Sequence, residues 1–394
     1  MNYLQKKLSL ILALSLCVGT LSGCGSSGTA DTTTPDTTTS TTTPDSDSTT
    51  DPVDPESTTH VVVDHAGNEV EVPNDISRIV ITSITPLPSV YSIFDGSAEN
   101  LIGMSPSSMA STENSMLAVT IPGITEVKTD FMTDSEINIE ELLAMEPDVV
   151  FYRAEETAEY EKLTAAGIPA VGFSTTQWAS NSIETFEGWT TLLGEVLLQQ
   201  DKAEFVGDYG REVTAMIEER LSAAGESLET PSIFFMFRNS AGVLQTSGSK
   251  HFGEYWATSA GGVNAANELE AANVEVGMEQ VYEWDPDMIF ISNFATVLAE
   301  DVLNNAIEGQ DWSTLTAVQE GNVYKCPLGM YRWYPPSSDT PLMLLWMAKT
   351  VHPELFEDID MDEEIKTYYQ DFYQVTLTDD QLFDIYNPTR EAAG

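Results

Sequence analysis

Apolar positions change their spacing several times along the chain, and each change marks an element. His60–Asp64 and Glu69–Val72 alternate apolar with polar around His65-Ala66-Gly67-Asn68, which predicts a β-hairpin with Gly67 free to take positive φ. Solid apolar runs then alternate with helical spacing: Arg78–Ser83 as a strand, Ile139–Met145 as a helix, and Pro147–Tyr152 as a strand. Glu161–Ala166 follows as a helix ended by Gly167, with Ile168–Phe173 as a further strand. Strands without alternation, interleaved with helices, predict parallel sheets covered on both faces.

From Ser182 to about Ala224 the pattern is a single stripe. Ile183, Phe186, Trp189, Leu192, Leu193, Val196 and Leu197 fall three or four apart, and Phe205, Val206, Tyr209, Val213, Met216, Ile217 and Leu221 continue it. Unbroken, this helix would run about 65 Å. The strand-and-helix alternation restarts at Pro231–Phe237 and continues through Tyr255–Ala260, Asp285–Ile291, Asn322–Cys326, Pro341–Val351 and Glu363–Tyr373. The expected fold is therefore α/β: two lobes with mainly parallel sheets, residues 60–180 and 227–394. One long backbone helix over 181–226 joins them, and a ligand cleft lies between them.

The first 59 residues follow different rules. Lys6 and Lys7 precede an apolar run, Leu8–Val18, which is too short to span a bilayer and suits a secretory signal over residues 1–23. Leu21-Ser22-Gly23-Cys24 resembles the lipobox of bacterial lipoproteins, which implies cleavage before Cys24 and a lipid on its sulfur. Residues 24–59 carry Thr, Ser, Asp, Pro and Gly almost alone, a composition that cannot offset its ordering entropy and predicts a flexible tether. The chain is thus expected to be exported and lipid-anchored, facing outside the cytoplasm.

Charge narrows the partners. The 394 residues include 63 acids and 16 bases, a net charge of −47, and most of the acidity belongs to the folded part. Such a chain repels nucleic acid and anionic membrane surfaces. Only Cys326 remains in the folded region, so no internal disulfide forms there. No G-x-S-x-G, H-E-x-x-H or C-x-x-C occurs, and four histidines give little choice of general base, so an enzyme is not expected. The absence of a His cluster argues against a bare zinc or manganese ion.

Two segments echo each other. Asn138–Val150 and Val276–Phe290 each carry a Glu, then Pro-Asp seven residues on, then a strand, at a separation of 139 residues. Together with the inter-lobe helix and the lipobox, this echo resembles the substrate-binding lipoproteins of ABC importers of the helix-backbone type, which carry ferric siderophores, haem and cobalamin. Asp64-His65-Ala66-Gly67, Gly167-Ile168-Pro169, Thr246-Ser247-Gly248 and Gly261-Gly262-Val263-Asn264 fit the same pattern. The resemblance implies that Glu140 and Glu279, one on each lobe, dock into basic pockets of an ABC permease dimer. It also implies a monomeric binding protein with no cofactor of its own, whose ligand carries the metal.

The arginines point to that ligand. Among only seven, three stand near predicted strand ends in aromatic company: Tyr152-Arg153, Phe237-Arg238 and Tyr331-Arg332-Trp333. Strand C-termini of α/β sheets open onto ligand crevices, and guanidinium forks suit anionic oxygens. The expected ligand contacts are Tyr152, Arg153, Trp178, Arg238, Tyr331, Arg332 and Trp333. Trp256 and His251-Phe252 are secondary candidates. The small-molecule ligand expected first is a metal chelate of the iron-siderophore, haem or cobamide type. A small oxyanion such as molybdate or tungstate is the alternative, with a secreted hydrolase further off.

Overall fold

The structure, a computed structural model, describes residues 57–393 apart from 134, 135 and 241; the signal segment, Cys24 and the tether as far as residue 56 lie outside them. Residues 58–394 cluster as one compact unit. Its first element is the hairpin β1 (Thr59–Val63) and β2 (Glu69–Pro73), with Gly67 at φ +81° in the turn. Asp64 closes that turn. Its Oδ1 accepts the N–H groups of Ala66 and Asn68 at 3.0 and 2.8 Å, while its Oδ2 accepts that of Gly172 at 2.9 Å and so docks the hairpin onto the first sheet.

That sheet is four-stranded and parallel, in the order β4-β3-β7-β8: Leu101–Met104, Ile79–Ile81, Val149–Arg153 and Ala170–Phe173. β3 and β8 are buried at every position, as expected of strands covered on both faces. A small antiparallel pair, β5 (Met132–Thr133) and β6 (Glu136–Ile137), lies beside it in sequence. The second sheet has β9 (Ser232–Ser240) at its centre, parallel to β13 (Met288–Ile291) and to the short β11 (Val263–Asn264). β14 (Val323–Lys325) extends it in parallel, while β10 (Val243–Ser247) and β12 (Asn273–Val276) add an antiparallel edge.

The expected single strut is two helices, Ser182–Val196 and Gln200–Ala224. The chain turns at Leu198, which takes φ +54°, and Gln199 N–H donates to Gly194 O at 2.8 Å. The helices then pack so closely that a Cβ on Gly194 would stand 2.5 Å from the Ala203 Cβ. The apolar stripe runs through the bend because both helices face one core. The first belongs to the N-terminal lobe, where Trp189 Nε1 donates to Ser174 O at 2.6 Å. The second, about 37 Å long, touches both lobes. Lys202 Nζ donates to Phe94 O near one end, and Arg220 pairs with Asp358 near the other.

Candidate functional site at the lobe junction

The Pro-Asp repeat is a repeat in three dimensions. Glu146 and Asp285, each just before the proline, take φ of +47° and +38°. Asp148 Oδ2 accepts the N–H groups of Ser77 and Arg78, both at 2.9 Å, and so clamps the start of β3; Asp287 Oδ2 accepts that of Ser232 at 2.7 Å and clamps the start of β9. Just upstream, Glu140 and Glu279 stand exposed in the first turns of the helices Ile139–Ala144 and Met278–Trp284, where the dipole favours a carboxylate.

The lobes meet along the segment that leaves β14 and returns to the helix Thr340–Val351. Gly329 O accepts the N–H of Met116 at 2.9 Å, Thr120 Oγ1 donates to Met330 Sδ at 3.2 Å, and Ser338 N–H donates to Ser89 Oγ at 3.4 Å. Arg332 is the basic residue of this crossing and is 4% exposed. Its Nη1 donates to Ser111 Oγ at 3.2 Å, across 221 residues of sequence, and to the Tyr331 hydroxyl at 3.4 Å. Its guanidinium lies over the Phe294 ring at 4.6 Å and near the Tyr331 ring at 5.6 Å. Phe294 in turn meets Phe237 at 5.1 Å, and the Arg238 guanidinium stands 5.6 Å from the Phe237 ring. Two arginines, one buried and one exposed, are thus strung along one aromatic run.

Lys325 at the end of β14 holds the neighbouring turn. Its Nζ donates to the carbonyls of Ser292, Ala295 and Val297 at 2.6–3.0 Å, and burial lowers its pKa to about 8, with Arg390 and Arg332 adding repulsion. The first lobe contributes hydroxyls instead. Ser105 caps the helix Pro106–Glu113 at the C-terminal end of β4, and Ser108, Ser111 and Thr112 form a buried face along it. His251 packs edge-on against Phe237 at 5.1 Å with Nδ1 at 2.8 Å from Ser247 Oγ; burial lowers its pKa to about 4, so it is neutral near pH 7. Trp256 is core, its Nε1 donating to Tyr334 O.

Four expected ligand contacts lie elsewhere or are engaged. Tyr152 is buried in the first lobe, stacked on Tyr160 with its hydroxyl toward Asp64, because alternation along β7 turns it away from Arg153. Arg153 does end β7, but it is ion-paired with Glu156, and Glu155 lies 4.0 Å away, so its charge is matched within its own loop. Trp178 packs edge-on against His65 at 5.0 Å and presses on Gly188, where an added Cβ would fall 2.2 Å from its ring; it serves the hairpin and helix contact. Trp333 is fully buried against Trp346. Arg238, Tyr331 and Arg332 remain together. Ser111, Phe294, Lys325 and Asp339 had no place in the sequence reading, although the helical spacing of Ser108, Ser111 and Thr112 was a usable sign.

Among the described residues no group of three His, Cys, Asp or Glu is placed to hold a metal ion, and no helix is long and apolar enough to cross a membrane. The family model described as periplasmic binding protein matches residues 79–328. The chain belongs to that family. Its members are extracytoplasmic solute-binding proteins of ABC importers, which bind their substrates without transforming them. A periplasmic solute-binding protein from Veillonella parvula aligns at 31% identity and TM-score 0.76, covering 84% of this chain and 97% of that one. The molybdate-binding protein MolA of Haemophilus influenzae is 27% identical, covering 62% of this chain and 72% of its own. The Fe(3+)-citrate-binding protein YfmC of Bacillus subtilis is 22% identical, covering 67% and 77%.

Proposed function

We propose that this binding protein captures a metal chelate bearing anionic oxygens at the lobe junction and delivers it to an ABC permease. The observation that carries the reading is Arg332, 4% exposed, seated over Phe294 from the second lobe and bonded to Ser111 of the first. A guanidinium so placed offers charge-assisted hydrogen bonds with little competition from water. Arg238, farther along the Phe237–Phe294 run, gives the site a reach that suits an extended ligand, and the aromatic faces suit its apolar surface. The ferric-citrate relative supports the same class.

A small oxyanion is the second reading. The enclosure of Arg332 beside the hydroxyl face of Ser108, Ser111 and Thr112 favours it, as does the molybdate-binding relative. In either case Glu140 and Glu279 would key the loaded protein onto the permease, and Cys24 would anchor it to the membrane as a monomer. Intrinsic tryptophan fluorescence of the full chain, titrated with ferric citrate, a ferric hydroxamate, haemin, a cobamide and molybdate, tests the assignment. The chelate reading expects saturable quenching by one chelate that weakens in both Arg332→Ala and Arg238→Ala. A response to molybdate alone, lost in Arg332→Ala and kept in Arg238→Ala, would replace it with the oxyanion reading. Silence across the panel would refute both.

A further inference from the structure

The two outward helices repeat more than a carboxylate. One position after the buried Leu142 stands Leu143, 44% exposed; one position after the buried Val281 stands Tyr282, 40% exposed. Both lie three residues beyond the exposed glutamates, so on helices this short they share a face with them. Single exposed apolar side chains are ordinary on protein surfaces. Here the same exposure recurs at the same offset of 139, on units whose backbones repeat down to the left-handed residue before the proline. The Tyr282 hydroxyl donates to Asp311 O at 2.7 Å, at the rim of the exposed ring.

We propose that Leu143 and Tyr282 are paired apolar anchors that seat the protein on a two-fold symmetric membrane partner. This rests on the docking reading of Glu140 and Glu279. The occupant is the permease dimer, each half presenting a basic side chain beside an apolar pocket. A chain with net charge −47 selects a basic partner surface, and a repeated Glu-x-x-apolar face selects a partner that repeats as well. The two parts do different work. The carboxylates steer and orient, so their contribution is sensitive to salt. The apolar side chains leave water on contact, so theirs appears in the lifetime of the complex.

The test places the host's cognate permease in nanodiscs and follows association and dissociation of the full-length chain at several salt concentrations. The pair Leu143→Ser with Tyr282→Ser is expected to dissociate about tenfold faster or more, with unchanged association rate, salt slope, melting temperature and ligand titration. Tyr282→Phe keeps the ring and should dissociate like the wild type. The pair Glu140→Gln with Glu279→Gln should instead associate more slowly and lose its salt dependence. Wild-type dissociation of the apolar pair overturns the anchor proposal while leaving docking intact if the glutamine pair still associates slowly. An effect from only one of Leu143 and Tyr282 overturns the two-fold arrangement. If both pairs behave as wild type, docking through this face fails altogether.

Discussion

Set side by side at a spacing of 139, the two lobes agree on their outer surfaces and part company where they meet. Outside, each has a short helix, an exposed glutamate, a left-handed residue before proline and an aspartate clamping the first strand of its sheet. At the strand C-termini the first lobe has Arg153 neutralised by Glu156 and a helix face of hydroxyls. The second has Arg238 and Arg332 set on phenylalanine rings. A duplicated scaffold can thus keep a common outer face while its inner walls diverge. The ligand contacts proposed here come largely from one wall, with the other closing over them.

The largest expected effect probes that asymmetry. Arg332→Ala should weaken binding of the physiological ligand about 100-fold, the loss expected of a buried charge-assisted contact worth about 3 kcal/mol. Arg153→Ala should change it by about threefold at most, because an exposed arginine already paired with its neighbours contributes little elsewhere. Calorimetric titration of both variants decides the matter, and equal losses would end the one-sided picture.

The shared scaffold makes the next prediction. Asp148 accepts two backbone N–H groups and Asp287 one, so Asp148→Ala should cost the protein about 2 kcal/mol and Asp287→Ala about 1 kcal/mol in urea unfolding. A reversed order would mean that the number of backbone N–H groups accepted does not set the strength of the clamp. This part of the fold was legible in the sequence. Solid apolar runs gave β7 and β13, and the Pro-Asp spacing gave the repeat. The break at Leu198 was not, since Leu197-Leu198-Gln199 contains neither Gly nor Pro and both helices turn their stripes to one core.

The proposed site was legible only in part. Arginine scarcity led to Arg332, yet the same argument chose Arg153, whose counter-ion three residues on was visible in the sequence and outweighs its position. Tyr152 and Trp333 are buried outside the proposed site, because adjacency in sequence says nothing about which side of a strand or loop faces a neighbour. Ser111 showed in the sequence only as part of a helical hydroxyl spacing; its contact with Arg332, 221 residues away, did not. Asp339 sits directly before a helix, but only the fold reveals its work. It is fully buried, accepts the Tyr331 N–H at 3.1 Å and the Tyr369 hydroxyl at 3.2 Å, and so holds the turn that presents Arg332.

Asp339 lends itself to a pH experiment. Burial pushes its pKa up to about 7, against 3.8 for an ordinary aspartate, while the Tyr331 N–H and Tyr369 hydroxyl pull it partly back. Between those values the folded protein holds a proton that the unfolded chain releases. Its contribution to stability is therefore complete below about pH 4 and lost as pH rises through 7. Many surface carboxylates also titrate in a chain this acidic, so the comparison must be with Asp339→Asn. The wild type should lose stability more steeply than the variant between pH 4 and 7, by less than the limit of about 1.4 kcal/mol per pH unit set by one proton. Parallel curves would show that Asp339 stays ionised.

The smallest effect tests the first lobe's share directly. Ser111→Ala removes the oxygen that Arg332 Nη1 reaches across the junction and leaves the Phe294 and Tyr331 contacts in place. One neutral hydroxyl bonded to a charged donor is worth about 1 kcal/mol net, which corresponds to roughly a fivefold loss of ligand affinity. The direction is informative as well as the size. If the ligand's oxygens displace Ser111 when they bind, deleting the hydroxyl removes a competitor, and affinity should rise slightly. If the serine stays on Arg332 and orients it, affinity should fall. Only a fall supports a closing first lobe that contributes to the bound state; a rise would mean that Ser111 merely holds Arg332 in the empty protein, and the asymmetry between the walls would then be complete.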